Sequence, residues 1–80
     1  MPYNRKACGI VISRMRVGKG LSQEVLSGLA GISRSHLAQI EGGRKTMRLD
    51  TLWQIAEALA VTPDRLIRMI EEEIQNGEPP

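Results

Sequence analysis

The chain has 80 residues, 41% of them apolar with no Phe, one Trp and one Tyr, and eleven Lys and Arg against nine Asp and Glu. A chain of this length folds around one small aliphatic core, burying roughly 60 to 65% of its unfolded surface, and dimerisation is a usual supplement to such a core. The absence of any apolar run near about eighteen residues excludes a membrane span, no secretory leader pattern appears, and one Cys with one His excludes a disulfide or zinc framework and fits a reduced cytosolic compartment.

Taken in order, residues 1–4 are expected to be a loose tail. A first helix runs from Arg5 to about Gly18, with Cys8, Ile12 and Met15 facing inward, Val11 beside them, and Gly18 and Gly20 as its stop. Ser22 is an N-cap for a second helix, Gln23 to Ala30, in which Val25, Leu26 and Leu29 recur at helical spacing. Gly28 inside this helix costs about 1 kcal/mol relative to Ala, so the helix depends on tertiary packing. Gly31 ends it where a positive φ is needed. Ser27, one turn earlier, is small enough to let the next helix cross closely.

Ser33 is the next N-cap, and a third helix, Arg34 to Glu41, buries Leu37 and Ile40. Gly42 and Gly43 end it, and a short basic loop continues through Arg44, Lys45 and Thr46. The fourth helix, about Leu49 to Ala60, is expected to bury Leu49, Leu52, Ile55, Ala56 and Leu59. Thr62, Pro63 and Asp64 open a fifth as N-cap, first-turn proline and first-turn acid. It is predicted to reach Glu73 to Gln75, leaving 76–80 as a frayed tail. No period-two alternation appears anywhere, and no repeat or second domain is visible. The prediction is an all-α, five-helix single domain over residues 1–80.

Charge is distributed unevenly. Between Arg5 and Arg48 nine basic residues face only Glu24 and Glu41, a net of +7, whereas Leu49 to Pro80 carries two basic and seven acidic residues, a net of −5. One half is suited to meet a polyanion and the other would be repelled by it. Within the basic half lies the pair of short helices joined by a tight turn, the arrangement whose second helix enters the DNA major groove. Arg34, Ser35, His36 and Gln39 occupy the outer face of that helix. Arg can pair bidentately with guanine, and Gln with adenine. Gln23 stands where free amides and the helix dipole favour an anion.

Through Gly20, Leu21, Ser22 and Gln23, then Gly31 to Ser35, then Ile40, Glu41 and Gly43, and on through residues 49–61, the chain resembles the Cro/phage-repressor type of helix-turn-helix regulator, which includes the xenobiotic-response-element repressors. The resemblance implies a repressor-like fold that binds double-stranded DNA. It places base reading at Arg34, Ser35 and Gln39 with His36 close by, and a phosphate clamp at Gln23. Arg44, Lys45 and Thr46 would grip the backbone further along, contacts that position without reading sequence. It also implies a largely buried ion pair between Arg16 and Glu41. Where relatives have Pro and a small polar cap before the fourth helix, this chain has Met47 and Arg48. The minimal length and added fifth helix are similar to the controller proteins of restriction-modification systems, and equally to small phage- or element-encoded repressors.

Two function classes follow. The first is a homodimeric transcriptional regulator on a two-half-site operator, its interface built from Ile67, Ile70 and Ile74 on helix five and Trp53 on helix four. The second is an antitoxin-like module whose acidic, apolar last helix binds another protein. No carboxylate pair, nucleophile set or phosphate-cradling loop points to an enzyme, and no cofactor, metal or small-molecule ligand is expected.

Overall fold

The helices end where the backbone can turn left-handed. In the computed structural model, which describes residues 2–77, the chain forms α1 (Arg5–Gly18), α2 (Gln23–Ala30), α3 (Arg34–Glu41), α4 (Leu49–Ala58) and α5 (Pro63–Gly77), with no strand among the described residues. Gly20, Gly31 and Gly43 lie at φ +72°, +73° and +73° after the first three helices. After α2, Gly31 N–H donates to Gly28 O and Ile32 N–H to Ser27 O, the two-bond closure that satisfies orphan carbonyls at a helix end.

After α4 the same closure is made without glycine. Ala60 N–H donates to Glu57 O and Val61 N–H to Ala56 O, with Ala60 itself at φ +59°. Thus α4 stops at Ala58, two residues before the expected end. The fifth helix instead overruns expectation, since Asn76 and Gly77 are helical; residues 78–80 lie outside those described.

Helix starts follow side-chain chemistry. Asn4, Ser22 and Ser33 each accept the N–H three residues on, from Ala7, Val25 and His36. Asn4 is therefore a cap rather than part of a loose tail. Tyr3, beside it, borders the same hollow as Ile67, Ile70 and Ile74, and burial pushes its phenol up to about 12. Arg48 opens α4 with no side-chain cap. The Thr62 hydroxyl bonds Asp64 at the head of α5 and holds that carboxyl below the ordinary range.

Helix α1 packs on α3 and α5, α2 packs on α3 and α4, and α4 packs on α5. The core they enclose is aliphatic: Val11, Ile12, Leu26, Leu37, Ile40, Leu52, Ile55, Leu59, Leu66, Ile70 and Ile74, with Cys8 among them. Burial raises the Cys8 thiol above its ordinary pKa, so it behaves as a small apolar side chain. Met15 packs at the edge of this core. Leu49, expected on the inner stripe of α4, faces out instead, as do Val25 and Leu29 on α2. At 100° per residue, Leu49 lies nearer the direction of Trp53 than that of Ile55 and Leu59, so α4 leaves it at the stripe's open margin.

Glycine and alanine are exchanged relative to the local optimum at two exposed points. Gly28 is mid-helix with nothing within 4 Å of where a Cβ would stand, and Ala60 holds a left-handed φ. Gly28→Ala and Ala60→Gly should each stabilise the fold by about 0.5 to 1 kcal/mol. Urea midpoints that fell in both variants would refute this account of the two turns.

Candidate nucleic-acid interface

Helix α3 is anchored on one side only. Leu37 and Ile40 are fully buried, which fixes the helix axis and turns Arg34, Ser35 and Gln39 into solvent. His36 lies between the two faces and is half-buried. The Ser33 cap, 3.0 Å from the His36 amide, sets the first turn of α3 so that Arg34 and Ser35 project ahead of the core.

The start of α2 stands near the end of α3. Ser22 caps α2 through Val25 at 3.1 Å, and the amides of Gln23 and Glu24 have no intrahelical acceptor. Ser27, buried under the crossing, turns its hydroxyl back to Glu24 O at 3.0 Å. No buried side-chain nitrogen or oxygen among the described residues is left without a hydrogen-bond partner.

A polar cluster ties these pieces together. Arg16 donates through Nε to Glu41 Oε2 at 2.8 Å and through Nη2 to Oε1 at 3.0 Å, while Nη1 reaches Leu21 O at 2.7 Å. The side chains are 14% and 5% exposed. The bonds Arg16 donates to Glu41 raise the Arg16 guanidinium pKa against the opposing effect of burial. Gln23 joins the cluster, its Nε2 donating to Glu41 Oε1 at 3.1 Å. One carboxylate thus links the last turn of α1, the first turn of α2 and the last residue of α3, and Arg16 extends the cluster to the loop after α1.

Two residues of this architecture carry roles that sequence reasoning missed. A Cβ on Gly9 would stand 2.6 Å from Ile40 O and 2.8 Å from Glu41 C, and would strike Glu41 O as well. This glycine is what lets α1 lie against the end of α3. Its only signal in the sequence is a glycine inside a helical pattern. Lys6 is the second. Its backbone and stem would lie 3.1 Å from a Cβ on Gly43, which brings the start of α1 beside the basic loop. In that loop Arg44 N–H closes α3 on Gln39 O at 3.0 Å, and Arg44, Lys45 and Thr46 are exposed.

The four apolar residues expected on one outer face divide in two. Trp53 and Ile67 are about half exposed, but Ile70 and Ile74 are 6% and 9% exposed and belong to the core. The stripe Leu66, Ile70 and Ile74 runs at four-residue spacing along α5, which packs on α1 and α4, and Pro2 and Tyr3 border the hollow beside Ile70 and Ile74. Ile74 therefore does not widen the exposed patch. An Arg14–Glu73 pair at 3.0 Å adds a surface link from α1 to α5.

A family model described as helix-turn-helix matches residues 12–66. The HTH-type transcriptional regulator y4dJ of Sinorhizobium fredii (strain NBRC 101917 / NGR234) is 35% identical over 68 residues, spanning 85% of this chain and 88% of that protein. The restriction-modification controller protein C.AhdI from Aeromonas hydrophila superposes with a TM-score of 0.75 at 34% identity, over 78% of this chain and 94% of that one. Wild-type controller protein C.Esp1396I superposes at 0.83 with 24% identity, over 95% and 99% of the two chains, a likeness of fold alone. The matched span runs from the middle of α1 into α5 and includes the whole capped α2–α3 pair. The chain belongs to the helix-turn-helix family of transcriptional regulators.

Proposed function

We propose that the protein is a sequence-specific, cytoplasmic transcriptional regulator that binds double-stranded DNA through α3, as a homodimer on an operator with two related half-sites. The observation that carries this is the one-sided anchoring of α3. Leu37 and Ile40 are buried while Arg34, Ser35 and Gln39 are presented together, in the half of the chain with a net charge of +7. Arg34, Ser35 and Gln39 read base edges, His36 lies close to them, and Gln23, Arg44, Lys45 and Thr46 hold phosphates. A regulator family, rather than an enzyme family, is also what the similarity to y4dJ and C.AhdI supports.

Selection of bound duplexes from random DNA at a fixed salt concentration tests this reading, and should return two related half-sites. Arg34→Ala or Gln39→Ala should then lose roughly 1 to 3 kcal/mol and relax preference at one or two base positions. Lys45→Ala should weaken all sequences alike and flatten the salt slope by about one unit. Unchanged affinity and base preference in Arg34→Ala would remove α3 from the reading role.

The dimer rests on Ile67 and Trp53, two of the large apolar side chains left open on α5 and α4. Exposed apolar surface of this kind commonly marks an interface, and the acidic half that bears it is kept off DNA by its charge. Ile70 and Ile74 border the same hollow as Ile67. A two-fold axis here would set the two α3 helices about 34 to 36 Å apart, one turn of B-DNA. Sedimentation should show a wild-type dimer and an Ile67→Asp monomer. A wild type still monomeric at high micromolar concentration would end the proposal.

A further inference from the structure

Gln23 and Glu41 are joined by a hydrogen bond that the ion pair does not require. Arg16 already satisfies both oxygens of Glu41, and Gln23 Nε2 adds a second bond to Oε1 at 3.1 Å. A carboxylate only accepts, so the atom of the Gln23 amide that faces it must be the nitrogen. That nitrogen carries two hydrogens in a fixed plane. With one directed at Glu41, the other points away from it at a set angle, and the carbonyl oxygen, which would repel an anion, is held on the far side of the amide carbon.

From this geometry we infer that Glu41 is a positioning residue for DNA, acting through Gln23. The inference rests on the DNA-binding reading and on Gln23 as a phosphate contact. Glu41 is buried, carries a negative charge and touches no DNA. Its part is to hold the Gln23 amide with an N–H turned toward a phosphate oxygen before DNA arrives. A free glutamine on an exposed helix start would sample both amide faces and several rotamers, and would lose that freedom on binding. Here the restriction is already made by folding. Because Arg16 and Glu41 also fix the end of α3, one carboxylate sets both the angle of the reading helix and the orientation of the clamp.

A simple structural role for Glu41 gives a different outcome in a double-mutant cycle. Glu41→Ala alone risks unfolding, so the anchor is removed by Arg16→Met with Glu41→Leu, since a buried ion pair replaced by apolar side chains of similar volume often leaves stability intact. Duplex affinity is measured for wild type, Gln23→Ala, the apolar pair, and the three changes combined. In the wild-type background Gln23→Ala should weaken binding roughly tenfold on every sequence, as expected for a hydrogen bond to a charged acceptor. The salt slope should not change, because no cation is removed. In the apolar-pair background the same change should cost less than about twofold, because an unanchored amide contributes little. Equal losses in the two backgrounds would overturn the positioning role while leaving the clamp in place. No loss in either would overturn both. Wild-type protein that binds no duplex at all would instead overturn the DNA-binding reading itself.

A second measurement needs no variant. In the nuclear magnetic resonance spectrum of the free wild type, the two Gln23 side-chain amide protons should be widely separated and one of them protected from exchange. On adding duplex DNA the other should shift while the first stays. A Gln23 amide with random-coil shifts in the free protein would show that Glu41 does not hold it.

Discussion

Gly9→Ala should lower stability by about 3 kcal/mol or more, the upper range for overpacking. The new methyl would meet Ile40 O at 2.6 Å and Glu41 C at 2.8 Å. These are backbone atoms at the end of a helix, and they cannot rotate aside as a side-chain tip would. Relief requires α1 to move off α3, which would open the contacts of Cys8, Ile12 and Ile40 in the core. An 80-residue domain has a total stability of only about 4 to 12 kcal/mol, so the loss should appear as a large fall in the urea midpoint with little change in slope. A variant within about 0.5 kcal/mol of wild type would mean that the two helices stand further apart than described.

Glu41→Ala should cost about 3 to 5 kcal/mol, because it strands the Arg16 guanidinium in a largely buried position. Two of the three hydrogen bonds of Arg16 go to Glu41, leaving only Leu21 O at 2.7 Å. The Arg14–Glu73 pair is a useful contrast. It has a similar distance, 3.0 Å, but Arg14 is 61% exposed, so Glu73→Ala should cost no more than about 1 kcal/mol. The difference between the two variants reflects desolvation rather than bond count. Arg16→Met with Glu41→Leu should recover most of the lost stability, and equal urea midpoints for Glu41→Ala and wild type would show that the pair is solvated.

Much of the fold was legible from single residues. The starts at Arg5, Gln23, Arg34, Leu49 and Pro63 agree with expectation; for α2 and α3 this is because a Ser side chain satisfies orphan amides by local geometry alone. The ends of α1, α2 and α3 were legible for the same kind of reason, since Gly20, Gly31 and Gly43 take a conformation that glycine adopts at little cost. The end of α4 was not. Ala60 turns left-handed without the glycine that signals it, and the turn is held by its bonds to Glu57 and Ala56 and by the packing of Leu59 and Val61.

For the candidate interface, the exposed face of α3 was visible as Arg34, Ser35 and Gln39 set against Leu37 and Ile40. The second bond of Glu41 to Gln23 was not visible, because the two residues are eighteen positions apart and either could have faced solvent. Periodicity showed where apolar stripes run, but not how much of each a neighbour would cover.

By itself, then, the sequence determined the number, order and starts of the helices and the concentration of positive charge around α2 and α3, since capping, glycine φ and net charge are local properties. Tertiary structure alone decided that Val25, Leu29 and Leu49 face out while Ile70 and Ile74 face in. It also decided that Gly9 cannot gain a methyl group whereas Gly28 can. Both glycines sit inside a helix and look alike in the chain. They differ only in whether another helix's backbone lies across them, and that follows from how five helices share one core.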